Sequence, residues 1–545
     1  MSRARLLLLA LVPLAFLGIF FLYPVGTILG RGLGSHGGPD FGAIGDVVGD
    51  AGLRRVAWFT VWQAAASTTL TLAIGLPGAC LFARYDFPGR PLLHAAIIVP
   101  FVLPTVVVGS AFLALLGPGG ALAFLGIDGT VFAILLAHVF FNYAVVVRTV
   151  GGLWSHLDPR REEAARMLGA SRTRVFLHVT LPALRPAIAA AAAIVFLFTF
   201  TSFGVILVLG GPRFATLETE IYRQTALLLD LRVAAALSII QLAAVVVLLG
   251  IGSLARGRHA VTLGLRPAAT TGRRPHGVGP TAFVVGNLAV MAVLLALPIA
   301  VLVERSFATP GGPSLGFYRA LGDVGTGSTF LVAPAEAIRN SLSYAIVATA
   351  IALVIGGIAA VVIVSRERHG GRFARGLDGL LALPLGVSAV TVGFGFLIAL
   401  DAPPLDLRTS WWLVPIAHAL VATPFVIRTM TPVLRSIDPR LRDAAAVLGA
   451  TPSRVWREVD LRIGARAVGV AAGFAFAISL GEFGATAFIA RPDRPTLPVV
   501  IYRLLGRPGT TTFGAAMAAS VILMVLTATA VLLIERFHAP GTGEG

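Results

Sequence analysis

Long apolar runs restrict the fold of this chain more than any other feature of its sequence. Twelve runs of about 20 residues or more carry almost no charge, and a helix of about that length crosses a hydrocarbon layer of about 30 Å. Lipid offers no hydrogen-bond partners to the backbone, so each run is predicted to be a helix. The runs are 6–29, 56–83, 92–116, 129–150, 183–209 and 232–254 in the first half, and 280–303, 338–364, 377–400, 412–434, 464–489 and 510–535 in the second.

The composition agrees with this assignment. Of the 545 residues, 57% are hydrophobic and 13% are charged, whereas soluble proteins carry roughly 25% charged residues. The chain is therefore predicted to be an all-α membrane protein with about twelve transmembrane helices. A signal peptide at residues 1–29 is the weaker interpretation, because that run is long, contains Pro13 and Pro24 and lacks a small-x-small cleavage signal.

The charged loops predict which way the chain crosses the membrane. A net charge of +17 would indicate nucleic-acid binding in a soluble protein, but here arginine-rich loops alternate with acidic ones, as the positive-inside rule requires. Five arginines and no acid lie in the linker 255–279, and four arginines beside one glutamate lie at 366–375. The loops predicted to lie outside contain Asp40, Asp46, Asp50, Glu218, Glu220, Asp401 and Asp406. Both termini and the linker are therefore predicted to be cytoplasmic, in a multi-pass protein of the cell membrane.

A polar stretch occurs twice at a fixed spacing. Asp158 to Pro182 returns as Asp438 to Arg462, 280 residues later, and the same offset relates His138 to His418. No insertion or deletion is needed from residue 138 to residue 223, so the chain is predicted to be two homologous six-span halves. Because each half has an even number of spans, the halves run parallel about an axis along the membrane normal.

The repeat also predicts the domain organisation. The predicted segments are 1–55 as a first span with its outer loop, 56–254 as a first transmembrane domain, 255–279 as the linker, 280–337 as a seventh span with its outer loop, 338–535 as a second transmembrane domain and 536–545 as a tail. Pro100 and Pro104 interrupt the third span and Pro384 interrupts the ninth. A plain kink is the simplest expectation for each of these prolines.

Each copy of the polar stretch is predicted to be a helix, a turn and a second short helix. Asp158 before Pro159 is typical of a helix start, Gly169 of a helix end, and Ser171 of a new N-cap. Asp438, Pro439, Gly449 and Thr451 repeat the pattern. The spacing of Ala164, Met167 and Leu168, and of Ala444, Val447 and Leu448, places a small apolar face on each first helix.

The segment from Glu163 to Gly169, EAARMLG, resembles the EAA-x-x-x-G loop of ABC importer permeases. The second copy departs from that pattern, because Asp443 replaces the glutamate and Arg462 replaces the later proline. Two such loops in one chain resemble the fused, double-length permeases of the thiamine and ferric-iron type. The motifs at 137–142, 202–211, 479–489 and 496–506 look most like the thiamine branch.

The resemblance implies a type I, MetI-like permease fold and a set of partners. Each polar stretch would be a coupling loop that docks on one of two ATPase subunits, and an extracytoplasmic binding protein would deliver a small solute, with thiamine as the best match. The implied coupling residues are Glu163, Ala164, Ala165, Met167, Leu168, Gly169, Asp443, Ala444, Ala445, Val447, Leu448 and Gly449. A plainer interpretation of these helices is that they lie in the membrane interface as amphipathic segments.

The chain contains no lysine, so a G-x-x-x-x-G-K-[ST] phosphate loop is impossible. ATP and Mg are therefore expected to be used by a partner subunit, with no cofactor or metal on this chain, and no catalytic cluster is evident. Glu482 is an acid predicted at membrane depth, where it either borders the substrate path with its counterpart Ser202 or is a structural partner. His138 and His418 are expected to be hydrogen-bonded packing residues.

Several other functions remain open from the sequence. A ferric-iron permease differs only in cargo, and sulfate or polyamine permeases are further away. An ion-coupled secondary transporter would not need the paired cytoplasmic helix units, and a membrane enzyme would need a reactive cluster.

Overall fold

The computed structural model describes residues 3–35, 38–39, 41–211, 213–257, 272–322, 332–367, 372–403 and 405–538. Most of the arginine-rich linker and the end of the predicted tail lie outside these residues. In the first half the helices are α1 (Arg3–Leu17), α2 (Tyr23–Leu33), α3 (Gly42–Gly49), α4 (Ala51–Arg84), α5 (Arg90–Ala96), α6 (Val99–Val102), α7 (Thr105–Leu116), α8 (Val131–His156), α9 (Arg160–Met167), α10 (Arg172–Val175), α11 (Leu181–Phe200), α12 (Gly204–Leu209), α13 (Leu217–Ala226) and α14 (Leu231–Gly257).

The second half repeats this order with small changes. Its helices are α15 (Val278–Met291), α16 (Leu297–Phe307), α17 (Gly316–Ala320), α18 (Glu336–Glu367), α19 (Arg372–Ala382), α20 (Ala389–Ala399), α21 (Leu413–Ser436), α22 (Pro439–Val447), α23 (Pro452–Val455), α24 (Leu461–Gly481), α25 (Thr486–Ile489), α26 (Leu497–Leu505) and α27 (Thr510–His538). Short 3₁₀ turns lie at Ala123–Leu125 and Leu383–Gly386. Two small hairpins consist of β1 (Gly34–Ser35) with β2 (Gly38–Pro39), and of β3 (Ala308–Thr309) with β4 (Gly312–Pro313).

Within the described residues, ten helices are long and apolar enough to cross a membrane. The third predicted run is a pair of helices bent by 100° between Val102 and Thr105. The ninth contains the end of α19, a 3₁₀ turn and the short apolar helix α20. The expectation of plain kinks is therefore wrong at these positions. Leu103, which precedes Pro104, is extended at φ −61° and ψ 139°, because a residue before proline is disfavoured in the helical region.

Within the described residues, four single turns of π-helix widen the long helices. They lie at Gly18–Leu22, Phe176–Thr180, Ala292–Ala296 and Trp456–Asp460. Pro24, Pro182 and Pro298 each follow such a turn by two residues. A proline has no N–H to donate and its ring crowds the carbonyl four residues earlier, so a wider preceding turn accommodates it. Arg462 follows the fourth turn, which shows that the widening does not depend on proline.

The chain forms two compact units, and they do not coincide with its two halves. One unit contains residues 48–220 and 243–308, and the other contains residues 1–47, 221–242 and 309–545. The first span, α1 and α2, thus packs on α18 and α20 of the second half, while α16 of the seventh span packs on α7. The division into domains at 56–254 and 338–535 stays a prediction about sequence repeats.

Each unit has a core of helices that meet through small residues. In the first unit α4, α8 and α11 bury Ala79, Ala83 and Ala191. In the other unit α18, α21 and α24 bury Ala360, Ala422 and, among others, Ala352, Ala471 and Ala475. Small side chains let helix backbones approach closely, which is the main source of packing energy between helices in lipid.

Candidate functional site

The first polar stretch is a short exposed helix followed by a sharp turn. Asp158 accepts a hydrogen bond from the backbone N–H of Arg160 through its Oδ1, at 3.1 Å, and α9 follows. Gly169 ends the segment with φ +83°, a conformation that glycine adopts without strain. Ser171 then accepts from the backbone N–H of Arg174 at 3.3 Å and starts α10. The predicted start, stop and restart are confirmed in this copy.

The second polar stretch has the same backbone. The Oδ1 atom of Asp438 accepts from the N–H of Arg440 at 2.9 Å, and Gly449 has φ +80°. The sequence of buried, half-buried and exposed positions is identical at 161–170 and 441–450. Two segments with different side chains therefore expose the same positions to their surroundings.

An exposed apolar face is the main feature of both segments. Met167 and Leu168 are each 89% exposed, and Val447 and Leu448 are each 87% exposed. Ala164 and Ala444 lie on the same exposed faces, and the acids Glu163 and Asp443 are exposed beside them, whereas Ala165 and Ala445 are half-buried. Large apolar side chains this exposed, next to small ones, are typical of surfaces that another protein covers.

The second helix of each stretch differs from the prediction. The sequence indicates a separate short helix, but α10 continues through a π-helical turn into α11, and α23 continues likewise into α24, so that Arg172–Phe200 and Ser453–Gly481 are each one long helix. Arg462, in place of Pro182, leaves this exit unchanged. Any movement of a loop therefore acts directly on the span that follows it.

An ion pair fixes the first loop to the rest of its unit. The guanidinium of Arg84, at the end of α4, donates to Glu162 Oε1 at 2.8 Å and to the carbonyl oxygen of Leu157 at 3.4 Å. Thr180 Oγ1 also donates to Glu162 Oε1, at 3.0 Å. The Arg84 side chain is buried, so water screens this contact poorly.

A different ion pair holds the second loop. Arg442 Nε donates to Asp460 Oδ1 at 2.7 Å, with Nη2 at 2.5 Å from the same oxygen, and Nη1 donates to the carbonyl oxygen of Ile437 at 3.4 Å. The sequence analysis missed Arg84, Glu162, Thr180, Arg442 and Asp460. The sequence does carry one sign of these ion pairs, because the equivalent positions 162 and 442 are occupied by residues of opposite charge, glutamate and arginine.

Glu482 lies in a break between helices and not within the eleventh span. Helix α24 ends at Gly481, Glu482 is extended, and its Oε1 atom accepts from the backbone N–H of Ala485 at 2.9 Å. Its residue exposure is 8%. The sequence analysis did not predict this break, because the residues around it in the run 464–489 are apolar.

The equivalent break in the first half contains Ser202. Helix α11 ends at Phe200, and Ser202 Oγ forms a hydrogen bond with His138 Nε2 at 2.9 Å. Gly204 follows, and a Cβ there would stand 2.3 Å from Thr105 Oγ1. The structure thus gives Ser202 a packing partner, while Glu482 contacts backbone.

Both buried histidines link helices through two hydroxyl groups. His138 also bonds Ser67 through Nδ1 at 2.9 Å, and His418 bonds Ser479 through Nδ1 at 2.7 Å and Thr486 through Nε2 at 2.8 Å. The expectation that these histidines are hydrogen-bonded packing residues is confirmed. The partners differ between the halves although the histidines occupy the same repeat position.

The short helices α13 and α26 are each tied to the first part of a long span. Thr60 Oγ1 accepts from the N–H of Leu217, which begins α13, at 3.0 Å, and Ser341 Oγ accepts from the N–H of Leu497, which begins α26, at 2.8 Å. The sequence analysis placed Glu218 and Glu220 in an outer loop, whereas both lie in the helix α13. Both side chains are buried.

An exposed ion pair lies next to α26. Arg491 donates to Asp493 Oδ1 and Oδ2 at 2.9 Å each, and also to the carbonyl oxygen of Thr409. These two hydrogen bonds lower the pKa of Asp493 below its ordinary value. The bidentate geometry joins the 491–493 turn to the connection before α21.

Comparison with known proteins identifies the family. The model of "Binding-protein-dependent transport system inner membrane component" matches residues 73–257 and 352–542. The "Probable ABC transporter permease protein y4fN" of Sinorhizobium fredii is 27% identical over 535 residues, which cover 92% of this chain and 91% of that protein. The "Thiamine transport system permease protein ThiP" is 30% identical in Brucella abortus over 509 residues, covering 90% of this chain and 89% of that protein. In Escherichia coli it is 28% identical over 483 residues, covering 84% of each.

A solved bacterial ABC transporter "involved in the import of the acidic polysaccharide alginate" aligns with a TM-score of 0.41 and 18% identity, covering 48% of this chain and 97% of that chain. The two domain matches extend over more than half of the residues. This chain therefore belongs to the family of binding-protein-dependent transport system inner membrane components, as a double-length permease with two copies of the family's domain.

Proposed function

We propose that this permease carries thiamine from an extracytoplasmic binding protein into the cytoplasm, powered by two ATPase subunits that dock on loops 158–182 and 438–462. The matched apolar faces at Met167, Leu168, Val447 and Leu448 carry the docking part of the proposal. Exposed apolar patches are typical of interaction sites, and two copies with one exposure pattern offer two equivalent docking faces.

The ATPase subunits would bind ATP and Mg, and this chain would bind neither. Its sequence without lysine supports this division, since the phosphate-binding loop requires one. Closure of the ATPases on ATP would move the two loops together. Because α10 continues into α11 and α23 into α24, this movement would turn the spans as rigid bodies and open the path outward.

The assignment of thiamine rests on the relatives. The ThiP proteins of two bacteria match this chain over most of its length at 28% and 30% identity. Thiamine is a cation, and Glu482 places a carboxylate in a helix break at the level of the spans. We place Glu482, with Ser202 as its counterpart, beside the substrate path.

The remaining assignments follow from the topology. Both termini and the loops would lie in the cytoplasm, so the connections at 210–230 and 490–509 would face outward and meet the binding protein. The exposed Arg491 and Asp493 pair offers both signs of charge for this contact. Crosslinks from these connections that capture no binding protein would count against the outward orientation.

ATP hydrolysis by the purified complex in lipid tests the proposal. The complex contains this chain with the ATPase and the binding protein of its own transport system, and the binding protein is supplied with thiamine or with ferric iron. Stimulation by thiamine alone supports the proposal, and stimulation by ferric iron alone assigns the cargo to iron. Failure of any ATPase to co-purify, with uptake driven by an ion gradient, would refute the importer mechanism.

A matched pair of variants connects this assay to the loops. Gly169→Pro with Gly449→Pro removes the left-handed turns, because proline is fixed near φ −65°. Gly126→Pro and Gly129→Pro, at left-handed glycines of the connection between α7 and α8, impose the same local change away from the loops. Loss of stimulation in the first pair only is the expected result.

A further inference from the structure

Residues at three equivalent positions hold each coupling loop in place through a brace of hydrogen bonds, but the charged groups at these positions differ between the two loops. In the first loop these positions are the carbonyl of Leu157, the acid Glu162 and the hydroxyl of Thr180. At the offset of 280 they become Ile437, Arg442 and Asp460. Each loop therefore joins its entry, its first helix and its exit through one guanidinium, one carboxylate and one backbone carbonyl, to which the first loop adds the hydroxyl of Thr180.

The origin of the guanidinium differs between the loops. In the second loop it belongs to Arg442, which donates hydrogen bonds to Ile437 before the first helix of this loop and to Asp460 near its end. In the first loop it belongs to Arg84, the last residue of α4, which lies far from the loop in sequence. The first brace therefore includes the end of a membrane span, whereas the hydrogen bonds of Arg442 to other described residues stay within 437–460.

The residue equivalent to Arg84 can be located in the second half by its neighbours. Thr60 and Ser341 accept the N–H groups of Leu217 and Leu497, which are themselves 280 residues apart. Gly75 and Gly356 face Val146 and Val426 in the same way. Both pairs align α4 with α18 at an offset of 281, so Arg84 corresponds to Ser365. A serine cannot supply the guanidinium.

The backbone of Arg84 also holds the end of the linker between the halves. The N–H of Arg273 donates to the carbonyl of Arg84 at 3.0 Å, and the N–H of Asp86 donates to the carbonyl of Arg273 at 3.0 Å. The Arg273 guanidinium lies 5.4 Å from the ring centre of Tyr85, within the range of a cation–π contact. One residue thus joins the first loop, the end of α4 and the linker.

We propose that Arg84 is the positioning residue that transmits force between the first coupling loop and span α4, so that the two loops act unequally on the transport path. This inference rests on the proposed docking of the ATPases at the loops. Movement of the first loop pulls on α4 and the linker through a buried ion pair, and on α11 through the exit helix. Movement of the second loop acts through α21 and α24, and among the described residues its ion pair joins positions within the loop.

A transplant of one brace into the other loop tests the proposal. The triple variant Arg84→Ser, Glu162→Arg and Thr180→Asp gives the first loop the brace of the second. Hydrogen exchange of residues 158–168 should stay near the native rate, and the ATPase should co-purify with the intact complex. Stimulation of ATP hydrolysis by the thiamine-loaded binding protein should fall by about fivefold or more, the lower range of coupling between sites.

Two charge swaps are the matched controls. Arg84→Glu with Glu162→Arg keeps an ion pair between α4 and the loop, and should retain most of the stimulation. Arg442→Asp with Asp460→Arg keeps the second pair inside its loop, and should retain it as well. If Arg84 only stabilised the loop, the first swap and the transplanted variant would show the same stimulation of ATP hydrolysis.

Native stimulation in the transplanted protein would overturn the inference. If the transplanted protein does not assemble, Arg84→Gln supplies the same comparison, and native stimulation in that variant overturns the inference equally. A native complex that binds no ATPase would instead refute the proposed function.

Discussion

Gly75 on α4 lies so close to Val146 on α8 that a Cβ atom at residue 75 would stand 2.8 Å from the Cβ of Val146. Gly356 on α18 meets Val426 on α21 in the same way, with a distance of 2.8 Å to Cγ1. These two crossings lie in the most extensive helix pairs in the described part of each unit, α4 with α8 and α18 with α21. Small residues at such crossings let backbones pack closely in lipid.

We expect Gly75→Leu and Gly356→Leu each to destabilise the permease by about 1–3 kcal/mol, the usual result of overpacking. The valine opposite is β-branched and stiff, so the helices must separate. Thermal unfolding of the purified protein in detergent measures the effect. Gly152→Leu is the control, because Gly152 on α8 has open space around its Cα and should unfold like the native protein. Equal stability of all variants would contradict the close crossings.

The histidine links give a second prediction. His138→Ala would leave the hydroxyls of Ser67 and Ser202 without their shared partner, and an unpaired buried polar group costs about 1–3 kcal/mol. We expect lower thermal stability but native uptake per folded molecule, and the same for His418→Ala. His156→Ala, at the exposed end of α8, is the control. A stable His138→Ala protein without transport would instead assign the imidazole to the path.

Local features of the two polar stretches could be predicted from the sequence. The start at Asp158, the stop at Gly169 and the N-cap at Ser171 depend on contacts between residues two or three apart, and the structure contains all of them. The duplicated apolar faces were also predictable, because helical spacing alone defines them.

Features that depend on distant residues were not predictable. Hydropathy cannot show that α1 packs with the second half or that Glu218 is buried, since both depend on which helices meet. The break at Glu482 lies inside an apolar run, so composition does not mark it. The contact of Arg84 with Glu162 joins residues 78 positions apart, and only the folded chain brings them together.

The docking faces give a third prediction. Met167→Asp with Val447→Asp should prevent the ATPase from co-purifying, because burial of each apolar side chain contributes about 1.5–3 kcal/mol and a buried carboxylate adds a desolvation penalty. Phe124→Asp is the control, since Phe124 is 80% exposed in the connection between α7 and α8, away from the loops. A complex that assembles normally with both loop substitutions would favour the interfacial-helix interpretation.

The fourth prediction concerns the charge of Glu482. Glutamine has the same size and keeps an oxygen that can accept the N–H of Ala485, so Glu482→Gln should preserve the break between α24 and α25. It removes the negative charge, and a contact to a charged group contributes about 1.5–3 kcal/mol. We therefore expect thiamine uptake into proteoliposomes to fall by about tenfold or more, with unchanged thermal stability and ATPase binding.

Glu304→Gln supplies the comparison, because it removes an acid that is exposed near the end of α16. Native uptake is expected there. Native uptake by Glu482→Gln would show that Glu482 stabilises the helix break and does not act on the cargo. A loss of both thermal stability and uptake in Glu482→Gln would also assign Glu482 a structural role. Glutamine can replace the hydrogen bond to Ala485, so such a loss would mean that the helix break itself requires the negative charge.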